Sequence, residues 1–99
     1  GKTNMAAYVI VQIKVNDEEA YARYREQVPA TIAKYGGEYL VRGGDMEILE
    51  GEWPAPRCVV LKFKDMESAR AWHGSEDYRE PKALRHKAAY TNAVLVDGI

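Results

Sequence analysis

The chain has 99 residues, a length suited to one domain, with 46% hydrophobic and 29% charged side chains. Its 14 basic and 15 acidic residues are well mixed and leave a formal net charge of −1, so the clustered basic face that nucleic-acid binding needs is missing. No apolar run approaches the roughly 20 residues of a membrane span. A lone Cys58 cannot form an internal disulfide, and no basic-then-apolar leader opens the chain, so a cytoplasmic location is expected. Residues 1–4 precede Met5 and are expected to be an appended or unordered tail, leaving residues 5–99 as the domain.

From Tyr8 to Val15 the residues alternate, which predicts a strand with Val9, Val11, Ile13 and Val15 on one face. Asn16-Asp17 offers a helix cap, with Glu18 and Glu19 well placed in the first turn. Tyr21, Tyr24, Val28, Ile32 and Tyr35 then recur at three- and four-residue spacing as one apolar stripe. Pro29 should kink or split this helix, and Gly36 should end it in the left-handed region.

Two glycine pairs, Gly36-Gly37 and Gly43-Gly44, bracket the alternating run Glu38 to Arg42. Met46 to Glu50 alternates again, which predicts one strand bent at Gly43-Gly44 whose second half pairs with Arg57 to Phe63. Cys58 within that partner strand is expected to be a buried, inert thiol. Asp65 should cap a helix running through Trp72, with Met66, Ala69 and Trp72 on one face and Gly74 as its stop. Ser75-Glu76-Asp77 begins a further helical piece to Ala89, with Pro81 in its first turn. Tyr90 to Val96 is the last strand.

The order strand, helix, strand, strand, helix, strand is the split β-α-β pattern of an α+β, ferredoxin-like fold with an antiparallel sheet. Helices then cover one sheet face, yet Ile10, Cys58 and Val60 place apolar groups on the other. A homodimer through the sheet faces is the expected way to bury them.

Several segments carry a family resemblance. Tyr35-Gly36-Gly37-Glu38-Tyr39-Leu40-Val41-Arg42-Gly43-Gly44 is the most specific. Leu49-Glu50-Gly51-Glu52-Trp53, Arg57 to Phe63, Ala71 to Tyr78 and Val94 to Gly98 accompany it. The chain resembles the family known as domain of unknown function 1330 (DUF1330) over nearly all of Met5 to Ile99. The resemblance implies a subunit of the dimeric α/β-barrel superfamily, many of whose members hold a small molecule between sheet and helices. Lys62 and Lys64 stand where an acidic residue and a proline are often found, and His73 where a tyrosine is common. The family carries no activity to transfer.

Arg42, set among glycines, suits a two-point contact with a carboxylate ligand, or an ion pair with Asp45, Glu47 or Glu50. Glu50, beside Trp53, is a candidate proton carrier, or else a solvated acid or partner of Arg57. His73 is the other candidate catalytic group, while His86 in Arg85-His86-Lys87 is expected on the solvated side of the last helix. Neither histidine has metal-ligand spacing, so no metal is expected. Tyr39, Trp53, Arg57, Trp72 and Tyr78 complete the candidate ligand-binding set. No cofactor motif is present.

These readings converge on a small-molecule-binding homodimer, with cofactor-free chemistry on a modest organic acid or aromatic as its active form. A non-catalytic dimer module is the alternative. A haem-degrading monooxygenase is a second one, suggested by Trp72 with a downstream histidine, although Gln12 replaces the asparagine those enzymes carry on the first strand.

Overall fold

The computed structural model describes residues 5–99, so the expectation for residues 1–4 lies outside the described residues. In chain order the elements are β1 (Ala7–Val15), α1 (Glu18–Lys34), β2 (Glu38–Arg42), β3 (Arg57–Phe63), α2 (Met66–His73), α3 (Glu76–Ala88) and β4 (Ala89–Asp97). The strands form one sheet in the order β2-β3-β1-β4, with every neighbouring pair antiparallel. This is the α+β, ferredoxin-like arrangement expected from the order of the elements.

Alternation along β1 sorts its side chains as read from the sequence, with Ala7, Val9, Val11 and Ile13 buried. Val59, Leu61 and Phe63 of β3 join them on the same face. Against this face α1 lays Tyr21, Tyr24, Val28 and Ile32, α2 lays Ala69 and Trp72, and α3 lays Tyr78 and Ala88. Burying an aromatic such as Phe63, 1% exposed, contributes about 1.5–3 kcal/mol. The helices begin on side-chain caps. Asp17, Asp65 and Ser75 accept from the backbone N–H groups of Ala20, Ser68 and Tyr78.

The end of α1 explains the first glycine pair. The Gly36 and Gly37 N–H groups donate to the Ala33 and Ile32 carbonyls at 3.0 and 2.9 Å, a Schellman closure with Gly36 at φ 77°. Gly37 has a different role, since a Cβ there would lie 2.6 Å from the Phe63 ring and 2.8 Å from Ile32.

Four expectations are corrected. Met46 to Glu50 is not a strand, and β3 pairs instead with Glu38–Arg42. Gly43, at φ 72°, donates its N–H to the Cys58 carbonyl at 2.9 Å and turns the chain off the sheet edge. The irregularity in β2 lies at Leu40, between Tyr39 and Val41, rather than at Gly43-Gly44. Pro29 does not split α1, which runs continuously through it, and Pro81 lies inside α3 rather than in its first turn.

The sheet's second face carries a continuous apolar row. Val94 pairs with Ile10, Ile10 with Val60, and Val60 with Val41, one residue from each strand. Val41, Val94 and Val96 are exposed on it, and Cys58 is half-buried rather than buried. Among the described residues no helix is long and apolar enough to cross a membrane.

Candidate functional site

A cavity lies between the helix-facing side of the sheet and the three helices. Its floor is Val9, Val11, Ile13, Val59 and Leu61, and its roof is Tyr21, Tyr24, Val28 and Ile32 of α1. Tyr39, Arg42 and Arg57 line it from β2 and β3, and Trp72, His73, Tyr78 and Arg85 from α2 and α3. The free space is about 30 Å³, room for one or two waters.

The bulge at Leu40 puts two of these groups on the same side. In a regular strand, residues three apart point to opposite faces. Here Tyr39 pairs with Leu61 and Arg42 with Val59, both helix-facing positions, because the extra residue resets the alternation. The Arg42 guanidinium then sits 4.6 Å from the Tyr39 ring centroid. Arg57 stacks similarly over Tyr21 at 5.7 Å, and its buried Nε has no hydrogen-bond partner among the described residues.

The other end of the cavity is built by α3. Tyr78 and Arg85, seven residues apart, share one helical face and are 1% and 5% exposed. Arg85 donates from Nε to the Tyr78 hydroxyl at 3.2 Å and from Nη1 to Thr91 Oγ1 at 2.6 Å. The Tyr78 and Tyr24 hydroxyls lie 3.0 Å apart. Burial above all, and then the neighbouring Tyr78, holds the Tyr24 phenol far above its ordinary range, so it stays neutral. Trp72 stacks on Tyr78 with centroids 4.2 Å apart, and its indole N–H donates to Thr31 Oγ1 at 3.0 Å.

His73 closes the cavity at the C-terminus of α2, 6.1 Å from Tyr78 by ring centroids. Its pKa is pushed below the ordinary histidine value by partial burial first, and then by the positive charges of Lys82, Arg85 and His86. The imidazole is therefore neutral near pH 7 and free to accept a proton.

Charge is the most informative property of this wall. Arg25, Arg42, Arg57 and Arg85 all contribute to it, and its lining residues include no aspartate or glutamate. The buried Arg85 guanidinium faces the Tyr78 and Thr91 hydroxyls and the His86 Nε2 at 3.4 Å and has no counterion among the described residues, an arrangement that costs free energy unless an anion arrives.

Of the residues singled out from the sequence, Tyr39, Arg42, Arg57, Trp72, His73 and Tyr78 meet around this one cavity. Glu50 and Trp53 do not. They lie with Val41, Met46 and Leu49 in a separate groove beside Cys58. Asp45 and Glu50 are exposed, and Arg42 donates to the Arg25 carbonyl rather than to either acid. Arg85 was missed because a cationic run ending a helix reads as a solvated face. Its spacing from Tyr78 was the signal that could have found it. Among the described residues no cluster of three or more His, Cys, Asp or Glu side chains could hold a metal.

Comparison with solved structures places the chain among ferredoxin-like folds. A protein of unknown function from Rhodopseudomonas palustris superposes with a TM-score of 0.77 at 14% identity, covering 97% of this chain and 84% of that one. SnoaB, a cofactor-independent oxygenase from Streptomyces nogalater, gives 0.57 at 13% identity, covering 92% and 90%. A dimeric ferredoxin-like protein of unknown function from Thermobifida fusca gives 0.56 at 19% identity, covering 98% and 94%. No curated protein matches the chain. The model of the family Domain of unknown function (DUF1330) matches residues 6–99, and the chain belongs to that family.

Proposed function

We propose that this protein is a homodimer that binds a small organic anion with an apolar body in the cavity between sheet and helices. The observation that carries this is Arg85, 5% exposed in a wall of four arginines without a carboxylate. The aliphatic floor and the Trp72–Tyr78 stack suit an apolar or aromatic body, while the guanidiniums suit its acidic group. The unoccupied space of about 30 Å³ is too small for such a ligand, so the rim side chains of Tyr39, Arg42 and Arg57 swing outward on binding. Such small space also favours the second reading, a dimer module whose polar groups satisfy one another. A macrocycle such as haem does not fit without parting the helices from the sheet.

In its enzymatic form the site works without a cofactor, and the structural neighbour SnoaB is a cofactor-independent oxygenase. His73 takes a proton from the carbon beside a ligand carbonyl. The C–H electron pair becomes the carbon–carbon double bond of an enolate as the carbonyl π pair moves to oxygen, and the guanidiniums of the wall balance the resulting charge. The homodimer is supported by the bare Val94–Ile10–Val60–Val41 row and by the dimeric neighbour from Thermobifida fusca.

Titration calorimetry with benzoate and with neutral benzyl alcohol tests the binding reading. The acid should bind, the alcohol should not, and Arg85→Gln should weaken the acid by about tenfold or more. Equal binding of acid and alcohol, or full affinity in Arg85→Gln, removes it and leaves the dimer module.

A further inference from the structure

We infer that the ligand is an elongated monoanion whose acidic group sits at Arg85 and whose apolar tail leaves the cavity along β4, under the C-terminus of α2. This rests on the anion-binding reading above and adds the shape of the molecule and its second subsite.

Three observations define the path. Thr91, Ala93 and Leu95 of β4 form one helix-facing row, since they pair with Ile13, Val11 and Val9 of β1. Arg85 is fixed to the first of these by its bond to Thr91, so the guanidinium stands at the head of the row. Ala93, the next in line, is exposed although it faces the helix layer, which leaves this stretch of sheet uncovered.

A groove of about 280 Å³ occupies that uncovered stretch, bounded by Ala69, His73 and Gly74 on one side and Ala93 and Leu95 on the other. Val9, His73 and Ala93 line both this groove and the inner cavity, so the two spaces are neighbours across His73. From Thr91 to Leu95 the row runs about 14 Å at the usual rise of a strand. The inner cavity, about 30 Å³ with its rim closed, has no room for a long tail beside the acidic group, whereas the groove can take an extended hydrocarbon or aryl tail. Its walls carry no carboxylate and one guanidinium, Arg70 of α2, and small side chains at Ala69, Gly74 and Ala93 give it its depth. Ala93 is accordingly a specificity-determining residue for tail length.

The experiment is calorimetric titration of butyrate, octanoate and decanoate into the parent, Arg85→Gln, Ala93→Leu and Ala93→Phe. Affinity in the parent should rise at least about tenfold from butyrate to decanoate as apolar surface is buried. Read as the ratio of decanoate to butyrate affinity within each protein, the gain should vanish in Ala93→Phe and shrink in Ala93→Leu. Ala93 is exposed, so both variants should fold, with far-ultraviolet circular dichroism as the control. If butyrate binds through Arg85 but affinity does not grow with length, or the gain survives Ala93→Phe, the tail path is wrong and the anion site stands. If decanoate binds equally well to Arg85→Gln, or no acid of any length binds the parent, the anion reading itself falls and the tail path falls with it.

Discussion

Arg42 donates from Nη2 to the backbone carbonyl of Arg25 at 3.2 Å, and that carbonyl is the one Pro29 leaves without its helical partner. A proline has no N–H to return to the residue four positions earlier. The guanidinium from β2 supplies the missing donor, which accounts for an α1 that runs unbroken through Pro29. The same contact ties the edge strand to the helix over the mouth of the cavity.

Arg42→Ala should therefore cost about 0.5–1.5 kcal/mol of stability, the range of a single exchanged hydrogen bond. Pro29→Ala restores an N–H for Arg25, so the Arg42 change should cost less in that background. Urea denaturation of the four combinations measures the coupling. Additive losses would show that Arg42 does not serve the carbonyl Pro29 frees.

The second glycine of the first pair makes a sharper case. Gly37 has no room for a Cβ between Phe63 and Ile32, so Gly37→Ala should overpack the core and cost about 1–3 kcal/mol. Gly36→Ala meets nothing within 4 Å but retains φ 77°, so its cost of about 1–2 kcal/mol is backbone strain alone. Repacking the wall distinguishes them. Phe63→Leu should partly rescue Gly37→Ala in thermal melts and leave Gly36→Ala unaffected.

Much of this architecture was legible from periodicity. The stripe Tyr21, Tyr24, Val28, Ile32 and the alternation of Val9, Val11 and Ile13 specify buried faces without knowledge of any partner. Two things were not. Met46 to Glu50 alternates like a strand, but β3, its expected partner, already has β2 on one edge and β1 on the other. The bulge at Leu40 also escapes pattern reading, because Tyr39 and Arg42 reach one face only once an extra residue is inserted. The candidate site inherited the first fault, since Glu50 and Trp53 were drawn toward it along a strand that does not form. Arg85 was left out because the run Arg85-His86-Lys87 reads as a solvated helix face.

His73 makes stability depend on pH with a definite sign. Its folded pKa is lowered by burial and by Lys82, Arg85 and His86, so between that value and the ordinary value of about 6.5 the unfolded chain binds more protons. Stability is then complete above the unfolded pKa and is lost as pH falls through the folded one. His86 is shifted the same way, by burial first and then by Arg85 and Lys82, and adds to the effect. Melting temperatures should fall on acidification from about pH 7.5 to about pH 5, and His73→Gln should flatten the profile more than a surface change does. An unchanged profile in His73→Gln would mean the imidazole is not held neutral by its surroundings.

Anion binding should reverse part of that shift. A carboxylate placed at Arg85 offsets one of the charges that depress His73, so the imidazole should take up a proton as the ligand enters. Calorimetric titrations of benzoate near pH 6.5 in buffers of different ionisation enthalpy read this directly. Net proton uptake in the parent that disappears in His73→Gln is the expected result. Uptake that persists in His73→Gln assigns the proton to another group, and His73 is then not the site's base.

The dimer is tested on the other face of the sheet. Val41 and Val96 are 40% and 43% exposed in the single subunit and point away from the helices, on the side where Val41 continues the row Val60–Ile10–Val94. Neither side chain supports the core, so lysine at either position should leave one subunit folded. Against a partner sheet, however, each lysine would be buried without a counterion at a cost of about 3–5 kcal/mol, enough to dissociate a dimer of ordinary affinity. Sedimentation should show the parent as a dimer at micromolar concentration, and Val41→Lys and Val96→Lys as folded monomers. Lysine variants that stay dimeric would move the interface off this face, and a monomeric parent would remove the homodimer altogether. In the monomers benzoate affinity should persist, because every residue placed around the cavity comes from one chain.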